Sequence, residues 1–470
     1  MKKLLLVLTL CTTFFSTAQQ LVLKKGAIID AITVNDSISE NFALYLPTNF
    51  DTSKKWPVIF VFDMQGRGKQ VLSMYSIAAE QNGYILAASN NVNDSLSLTQ
   101  NALISSRMFN TVVTLLPIQK DRVYTSGFSG GARMASLMPT FIKEIKGVIS
   151  CGSNIANSEI LSSKNPFHFI GIVGIEDFNY PDMLQMGKTF ELLKFPNQIL
   201  VFNGGHNWPN QEYISTAMEI LDLSAMAKNT IPRDSIFINR TYKESLRKVN
   251  NLVTDNKPVL AYKMLEELID IYKPFQKLDS IKISRKVLKR SSKYKNQNRS
   301  QNSIFFKESF IKNDYDYYLE EDILTYNYNN LGWWNYQMGE LGKYKKSPNI
   351  LLNQMGKRLE GYLNALIEDK LDLIQLQSVV DEEALNFLWM LKTITSPDDY
   401  TGYLKVISFN AKVEDYGTAL FYLEELLKKG YTNTTELYAL ENTALFRITP
   451  EFNELVAKYL KEARYGIIEE

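Results

Sequence analysis

Residues 122–138 of the chain read RVYTSGFSGGARMASLM, and this stretch decides the fold. The β-branched and aromatic run 122–126 predicts a strand, and the apolar spacing after Gly131 predicts a helix. Between them, residues 127–131 carry a G-x-S-x-G pattern at a sharp turn from strand to helix. Because glycine allows a strained turn and close backbone approach, we expect Ser129 at the helix N-terminus with its hydroxyl exposed.

Short apolar runs alternate with helical stretches on both sides of this turn, from about residue 21 to residue 226. Such alternation is typical of βαβ units, and it predicts an α/β domain with a mostly parallel sheet and helices on both faces. The predicted strands are 41–46, 57–63, 84–89, 122–126, 147–151, 168–174 and 198–203, and the predicted helices are 69–81, 98–116, 130–141, 181–193 and 211–227. The connections are short, so we expect no inserted lid domain in this half.

Beyond about residue 228 the strand signal disappears. The remaining sequence has a helical period that is interrupted by Pro274, Pro348, Pro397 and Pro450. The predicted organisation is therefore an α/β domain over 19–227 and an all-α domain over 228–470. Within the second domain, the polar stretch 291–303 predicts a loop or a poorly ordered connection.

The first 18 residues have the pattern of a secretory signal peptide. Two lysines precede the apolar run 4–15, and small residues follow at 16–18. We expect cleavage there and a periplasmic or secreted protein. A lipoprotein would need Cys11 as the acylated residue, but Leu10 stands where a small residue is expected. No later segment reaches the roughly 18 apolar residues that a membrane span requires, so we expect no transmembrane segment after cleavage.

The composition of the chain limits the kinds of partner and of metal site that can be expected. The 470 residues include 52 Lys and Arg against 51 Asp and Glu, so the net charge of +1 gives no reason to expect nucleic acid as a partner. Two cysteines exclude a disulfide scaffold, and two histidines exclude a histidine-rich metal site. We therefore expect neither a metal nor an organic cofactor.

Candidate partners of Ser129 follow later strands, because catalytic groups collect at the carboxyl ends of parallel strands. His206 lies in the sequence NGGHNWP directly after the predicted strand 198–203. An acid is expected after the preceding strand, where Asp177 is the preferred residue and Glu176 and Asp182 are alternatives. The other histidine, His168, lies inside an apolar run and is interpreted as a core or edge residue.

These motifs resemble the polyhydroxybutyrate depolymerase and feruloyl esterase group of α/β-hydrolases. The resemblance covers about residues 40–226 and depends on Gly-Phe-Ser-Gly-Gly before a helix, Gly-x-x-Asp, and above all Gly-Gly-His-x-Trp-Pro. It implies an α/β-hydrolase fold with Ser129 as the nucleophile, His206 as general base and acid, and Asp177 as the residue that orients the imidazole.

The donors for an oxyanion come from two places. The amide of Gly130, at the helix start, is one candidate. In the family that the sequence resembles, a His-Gly pair after the third strand leads to the second amide, but here Asp63 occupies the histidine position. The second donor is then the backbone of Gln65 or, failing that, of Met64.

The sequence thus predicts hydrolysis of a carboxylic ester through an acyl-enzyme. The expected substrates are an acylated polysaccharide, a polyester fragment or a small ester. A serine peptidase of the same fold is an alternative, since the same three residues can cleave amides. A further alternative is a non-catalytic binding protein that recruits a partner through its helical domain, and Asp63 is the feature that favours it.

The end of the helical domain resembles a tetratricopeptide-type helix pair with its terminal cap. The resemblance depends on the segments 414–431, 440–446 and 450–456, and Gly430 is expected to end the first of these helices. It implies a protein partner for the C-terminal helices.

Overall fold

A computed structural model describes residues 23–35, 37–461 and 463–465, and its central feature is an eight-stranded sheet. The predicted signal peptide, residues 1–18, lies outside the described residues. The strands are β1 Ile28–Asn35, β2 Ile38–Tyr45, β3 Trp56–Phe62, β4 Ile85–Ser89, β5 Ile118–Phe128, β6 Ile145–Cys151, β7 His168–Gly174 and β8 Asn197–Phe202. Their order in the sheet is β1-β2-β4-β3-β5-β6-β7-β8. The β1–β2 and β2–β4 pairs are antiparallel and all the others are parallel.

Helices cover both faces of this sheet. They are α1 Gly68–Asn82, α2 Leu98–Leu115, α3 Gly130–Phe141, α4 Tyr180–Leu192 and α5 Gln211–Ala227. Since successive strand residues point to opposite faces, Phe60 of β3 packs in the core beneath α2, α3 and α4, while Ile59 packs beneath α1 and α5. This sheet, with Ser129 at a strand-to-helix turn in its middle, has the α/β-hydrolase fold, and the predicted fold class is confirmed.

Strand β1 was not predicted. Its sequence, IIDAITVN, alternates poorly because the β1–β2 register shifts between Ile29 and Ile32, where Ala31 has a φ of 57°. An irregularity of this kind inserts residues that do not follow the period of two, so the alternation that signals a strand is lost locally.

An all-helical region follows α5, as predicted. Its helices are α6 Ser235–Thr254, α7 Pro258–Tyr272, α8 Asp279–Arg290, α9 Ser292–Thr325, α10 Leu331–Lys345, α11 Ile350–Gln375, α12 Glu382–Thr395, α13 Tyr400–Lys412, α14 Tyr416–Lys428, α15 Thr434–Ala439 and α16 Pro450–Leu460. Three hydrophobic clusters hold it together: α6–α8 with the end of α5, then α9–α12, then α13–α16. Within the described ranges, no helix combines the length and apolarity needed to cross a membrane.

The prediction of a loop over 291–303 is wrong. These residues begin α9, a helix of 34 residues whose N-terminus is capped by the Ser291 side chain accepting from the Tyr294 amide at 3.2 Å. Few side chains of α9 are buried, so its sequence lacks the apolar stripe that signals a helix. Packing against α11 further along the helix supplies the stability that local propensity does not.

The last helices differ in part from the predicted tetratricopeptide-type pattern. Segment 414–431 contains α14, and Gly430 follows it with a φ of 91°. Segment 450–456 lies within α16, but 440–446 is not a continuous helix, and the short helix α15 precedes it instead. Asn442 adopts a φ of 62°, a conformation that interrupts a right-handed helix. Membership of the tetratricopeptide class remains a prediction.

Candidate active site

Ser129 occupies a strained turn between β5 and α3. Its φ of 51° and ψ of −118° are unfavourable for a residue with a side chain. Two neighbouring glycines make the turn possible, because a Cβ on Gly127 would lie 2.4 Å from the backbone of Gly131, and a Cβ on Gly131 would lie 2.3 Å from the carbonyl oxygen of Phe62. The backbones of β5, α3 and β3 therefore approach one another closely at the serine.

Replacing Gly131 by alanine should destabilise the whole domain. The added methyl group would overlap the Phe62 carbonyl, and we expect the free energy of unfolding to fall by about 2–4 kcal/mol. Urea unfolding of Gly131→Ala and Gly339→Ala provides the test. Gly339 lies within α10 with nothing within 4 Å of its added Cβ, so its substitution should leave stability unchanged or raise it. Equal stability of Gly131→Ala and the wild type would contradict this account of the turn.

The structure brings the three candidate residues into one hydrogen-bonded chain. His206 Nε2 lies 3.0 Å from Ser129 Oγ, and His206 Nδ1 lies 2.9 Å from Asp177 Oδ2. The side chain of Asp177 is fully buried, whereas 22% of the His206 side chain is exposed. In this arrangement the Ser129 hydroxyl can donate to Nε2 while Nδ1–H donates to the carboxylate.

The turns after β7 and β8 place Asp177 and His206 side by side. The Glu176 amide donates to the carbonyl of Gly204 at 2.9 Å, and a Cβ on Gly174 would lie 2.3 Å from the same oxygen. Asp177 Oδ1 accepts from the Asn179 amide at 2.8 Å, so the second carboxylate oxygen is left for the histidine. Close contact of the two turns therefore sets the separation of acid and imidazole.

The two alternative acids point elsewhere. Glu176 pairs with Lys357 of α11 at 2.7 Å, and Asp182 lies 3.3 Å from Lys312 of α9. Both carboxylates therefore face the helical domain, and Asp177 is the acid that reaches His206.

Two aromatic rings enclose the imidazole. The ring of Phe178 lies 4.4 Å from that of His206, and the ring of Phe128 lies 4.7 Å from it, both centroid to centroid. Trp208 packs against Phe128 at 5.1 Å. These contacts restrict rotation of the imidazole. Sequence reasoning missed Phe128 and Phe178, although Phe128 is the first variable residue of the G-x-S-x-G pattern and Phe178 directly follows the chosen acid.

The candidate oxyanion donors lie next to the turn. Gly130 opens α3, where the first amides of a helix have no intrahelical acceptor. The side chain of Met64 approaches to 3.3 Å from the position of a Cβ on Gly130, so the loop after β3 lies against the serine. Gln65 donates its amide to Asp63 Oδ1 at 3.3 Å, and Asp63 also pairs with Arg67 at 2.7 Å. Asp63 thus stabilises the turn that carries Gln65. Because the Gln65 amide donates to this carboxylate, it is not free to bind an oxyanion in this structure.

One acidic side chain, Asp94, lies beside the start of α3. Asp94 Oδ1 lies 3.6 Å from the position of a Cβ on Gly130, and its amide donates to the Met64 carbonyl at 2.8 Å. Desolvation, together with the carboxylates of Asp372, Asp63 and Asp369, raises the pKa of Asp94. The carboxyl group of Asp94 is therefore harder to ionise than that of an exposed aspartate. Among the described residues, no group of three or more His, Cys, Asp or Glu side chains could hold a metal ion.

His168 lies away from this site, at the start of β7. It is buried and its Nε2 bonds to Gln198 of the neighbouring strand, as its apolar surroundings predicted. Burial lowers its pKa to about 4. The imidazole is therefore neutral in the folded protein at physiological pH.

This depressed pKa predicts a loss of stability in acid. Below pH 6.5 the unfolded chain binds a proton at His168, whereas the folded protein binds it only near pH 4. The stability that the neutral imidazole contributes is therefore complete above pH 6.5 and is lost as the pH falls toward 4. We expect the loss to reach about 3 kcal/mol at pH 4. Urea unfolding of wild type and His168→Leu between pH 7 and pH 4 should show a shallower pH dependence for the variant. Parallel curves would contradict the assignment.

No known family model and no curated protein matches the sequence. Among solved structures, Est1E from Butyrivibrio proteoclasticus is 13% identical and superposes with a TM-score of 0.34 over 43% of this chain and 99% of its own. The S-formylglutathione hydrolase FrmB from Staphylococcus aureus is 15% identical, with a TM-score of 0.34 over 43% of this chain and 99% of its own. An esterase from Pyrobaculum calidifontis is 9% identical, with a TM-score of 0.36 over 43% of this chain and 86% of its own. The α/β-hydrolase fold assigned to this chain rests on its own strand order and on the turn at Ser129.

Proposed function

We propose that the protein is an exported serine hydrolase that cleaves a carboxylic ester through an acyl-enzyme. The observation that carries the proposal is the chain of hydrogen bonds from Ser129 through His206 to Asp177, with distances of 3.0 and 2.9 Å. Covalent acyl transfer by a serine requires a base within hydrogen-bond reach of the nucleophile and an acid that orients the base, and these three residues have that arrangement. Export is proposed from the pattern of residues 1–18.

In the proposed mechanism, His206 accepts the Ser129 proton as Oγ attacks the acyl carbonyl. Asp177 holds the imidazole in the required tautomer and stabilises the imidazolium. The amide of Gly130 and a second amide, from Met64 or from Gln65 once it has left Asp63 Oδ1, would bind the oxyanion. One such donor contributes about 10²–10³ in kcat. The imidazolium then protonates the leaving alcohol, and water releases the acyl group by the same steps.

The proposed substrates are an acylated polysaccharide, a polyester fragment or a small ester. The carboxyl group of Asp94 near Gly130 would favour substrates that are neutral or positively charged near the scissile bond. It would also favour the alternative function, a serine peptidase, because a free amino group of a peptide would be attracted to it. The remaining alternative, a binding protein without turnover, is favoured by Asp63 in the histidine position.

One experiment separates these three functions. The mature protein is treated with a fluorophosphonate probe, and the labelled residue is located by mass spectrometry. Short-chain aryl esters and matched aryl amides are then assayed, with neutral, cationic and anionic acyl groups. We expect labelling at Ser129 and faster turnover of esters, with anionic esters the slowest. Faster amide turnover would favour the peptidase, and absence of labelling and turnover would favour the binding protein.

A further inference from the structure

The helices α9 and α11 contact the turn that carries Asp177. This turn, residues 175–179, is called the acid loop below. Arg358 of α11 donates through Nη1 to the carbonyl oxygen of Ile175 at 2.9 Å, two residues before the acid. Lys312 of α9 donates through Nζ to the carbonyl oxygen of Phe178 at 2.8 Å, one residue after it. The helical domain thus holds the backbone on both sides of Asp177.

Arg358 is itself fixed by a buried ion pair. Its guanidinium donates to both carboxylate oxygens of Glu308 on α9, the shortest contact being 2.7 Å. Only 2% of the Arg358 side chain and 1% of the Glu308 side chain are exposed. A bidentate pair of this kind fixes the orientation of the planar guanidinium, including the nitrogen that does not contact the carboxylate. Here that nitrogen, Nη1, donates to the Ile175 carbonyl.

The side chains of the acid loop continue the same contact. Phe178 lies between the imidazole of His206, 4.4 Å away, and α11, where a Cβ on Gly361 would be 3.4 Å from its ring. The neighbouring Tyr362 meets the Phe178 ring edge-on at 6.4 Å, and Lys312 lies 4.8 Å from the centre of the Tyr362 ring. A displacement of α9 or α11 would therefore move a ring that packs on the histidine.

We propose that the helical domain forms part of the active site, with Arg358 and Lys312 acting as positioning residues that hold the acid loop so that Asp177 stays aligned with His206. The inference rests on the proposed function. Neither residue touches the reacting atoms, and both act through the backbone that flanks Asp177. Small displacements of catalytic groups lower rates strongly, by about 10²-fold for 1 Å, whereas they change substrate binding much less.

The main test replaces the buried pair without leaving a charge behind. In the double variant Glu308→Leu/Arg358→Met the interface stays apolar, and such replacements of buried ion pairs are often neutral for stability. We expect kcat for a short aryl ester to fall by about 10- to 100-fold, with KM changed by less than about threefold. Fluorophosphonate labelling should slow in parallel, and the melting temperature should stay within a few degrees.

The control variant is Lys370→Met. Lys370 of α11 pairs with Glu320 of α9, so its loss breaks an ion pair between the same two helices without involving the acid loop. Its kcat and labelling rate should equal those of the wild type. A double variant that is folded, with wild-type kcat and labelling rate, would overturn the inference.

A second pair of variants decides the question if the double variant does not fold. Lys312→Met removes the donor to the Phe178 carbonyl, whereas Lys307→Met removes a lysine of the same helix that lies 4.5 Å from the ring centre of Tyr344. We expect kcat to fall about threefold to tenfold in the first and to stay unchanged in the second. Equal kcat values in the two would count against a positioning role.

Hydrogen exchange separates this inference from the proposed function. Amides of the acid loop are hydrogen-bonded, among them those of Glu176 and Asp177 at 2.9 and 3.1 Å. Their exchange should be faster in Glu308→Leu/Arg358→Met and in Lys312→Met than in the control variants. Failure of the wild type to react with the probe would reject the proposed function. Unchanged exchange and unchanged kcat in the variants of an active wild type would reject the positioning role alone.

Discussion

Replacing Ser129 by alanine is expected to abolish covalent labelling and to lower kcat for short aryl esters by about 10³-fold at least, up to about 10⁶-fold. In the proposed mechanism the Ser129 hydroxyl, 3.0 Å from His206 Nε2, is the group that forms the acyl-enzyme. Residual turnover would come from the oxyanion donors and substrate binding, which remain after the nucleophile is removed. Because Ser129 already adopts its strained φ of 51° with a small side chain, alanine should fold normally.

The measurement is steady-state ester hydrolysis by purified Ser129→Ala, wild type and a control serine variant. Ser73→Ala is a suitable control, since Ser73 is exposed on α1 and its hydroxyl donates to the local Gln70 carbonyl. The control should keep wild-type activity. Equal ester turnover by Ser129→Ala and the wild type would reject Ser129 as the nucleophile.

Replacing Asp177 by asparagine should lower kcat by about 10⁴-fold while KM stays nearly unchanged. The asparagine amide can donate to His206 Nδ1, which places the imidazole proton on Nε2. Nε2 then cannot accept the proton of the Ser129 hydroxyl, which lies 3.0 Å away. The geometry survives, but the tautomer required for catalysis is lost.

Glu176→Gln and Asp182→Asn are the matched controls, because the sequence offered both residues as alternative acids. Their carboxylates lie 2.7 Å from Lys357 and 3.3 Å from Lys312, so their loss should lower kcat by no more than several-fold. A larger loss in Glu176→Gln than in Asp177→Asn would transfer the role of the acid to Glu176. The comparison can be read from kcat values at one pH, with KM measured for each variant.

The sequence was most informative where a local pattern has one structural solution. Gly127 and Gly131 around Ser129 predict a close approach that only glycine allows, and the structure places backbone atoms within 2.4 Å of both added Cβ positions. The central strands were also predicted from local sequence. Their residues are buried on both faces of the sheet, so each strand is a continuous apolar run, as in β3. The choice among Glu176, Asp177 and Asp182 could not be made in this way, since all three follow the same strand.

Two elements that bury few side chains were predicted wrongly or not at all from the sequence. The start of α9 is polar on all sides because few of its residues meet a partner, so residues 291–303 carried no helical period. Strand β1 lost its alternation at the irregularity around Ala31. The stability of α9 comes from distant packing, which a local window of sequence does not contain, whereas β1 pairs with the next strand in the chain and was missed because of its irregular register.

By itself, the sequence predicted an α/β domain with a mostly parallel sheet, the turn that carries Ser129 and the strand ends near Asp177 and His206, because each depends on residues close together in the chain. The α/β-hydrolase fold was implied by the resemblance of these motifs to a known family. Only the tertiary structure decided that Arg358 pairs with Glu308, 50 positions away, and donates to the Ile175 carbonyl at 2.9 Å, and that Phe178 packs on His206. Such contacts depend on which helix faces reach the sheet domain. That choice is made by the sum of many apolar contacts and has no signature in the neighbouring sequence.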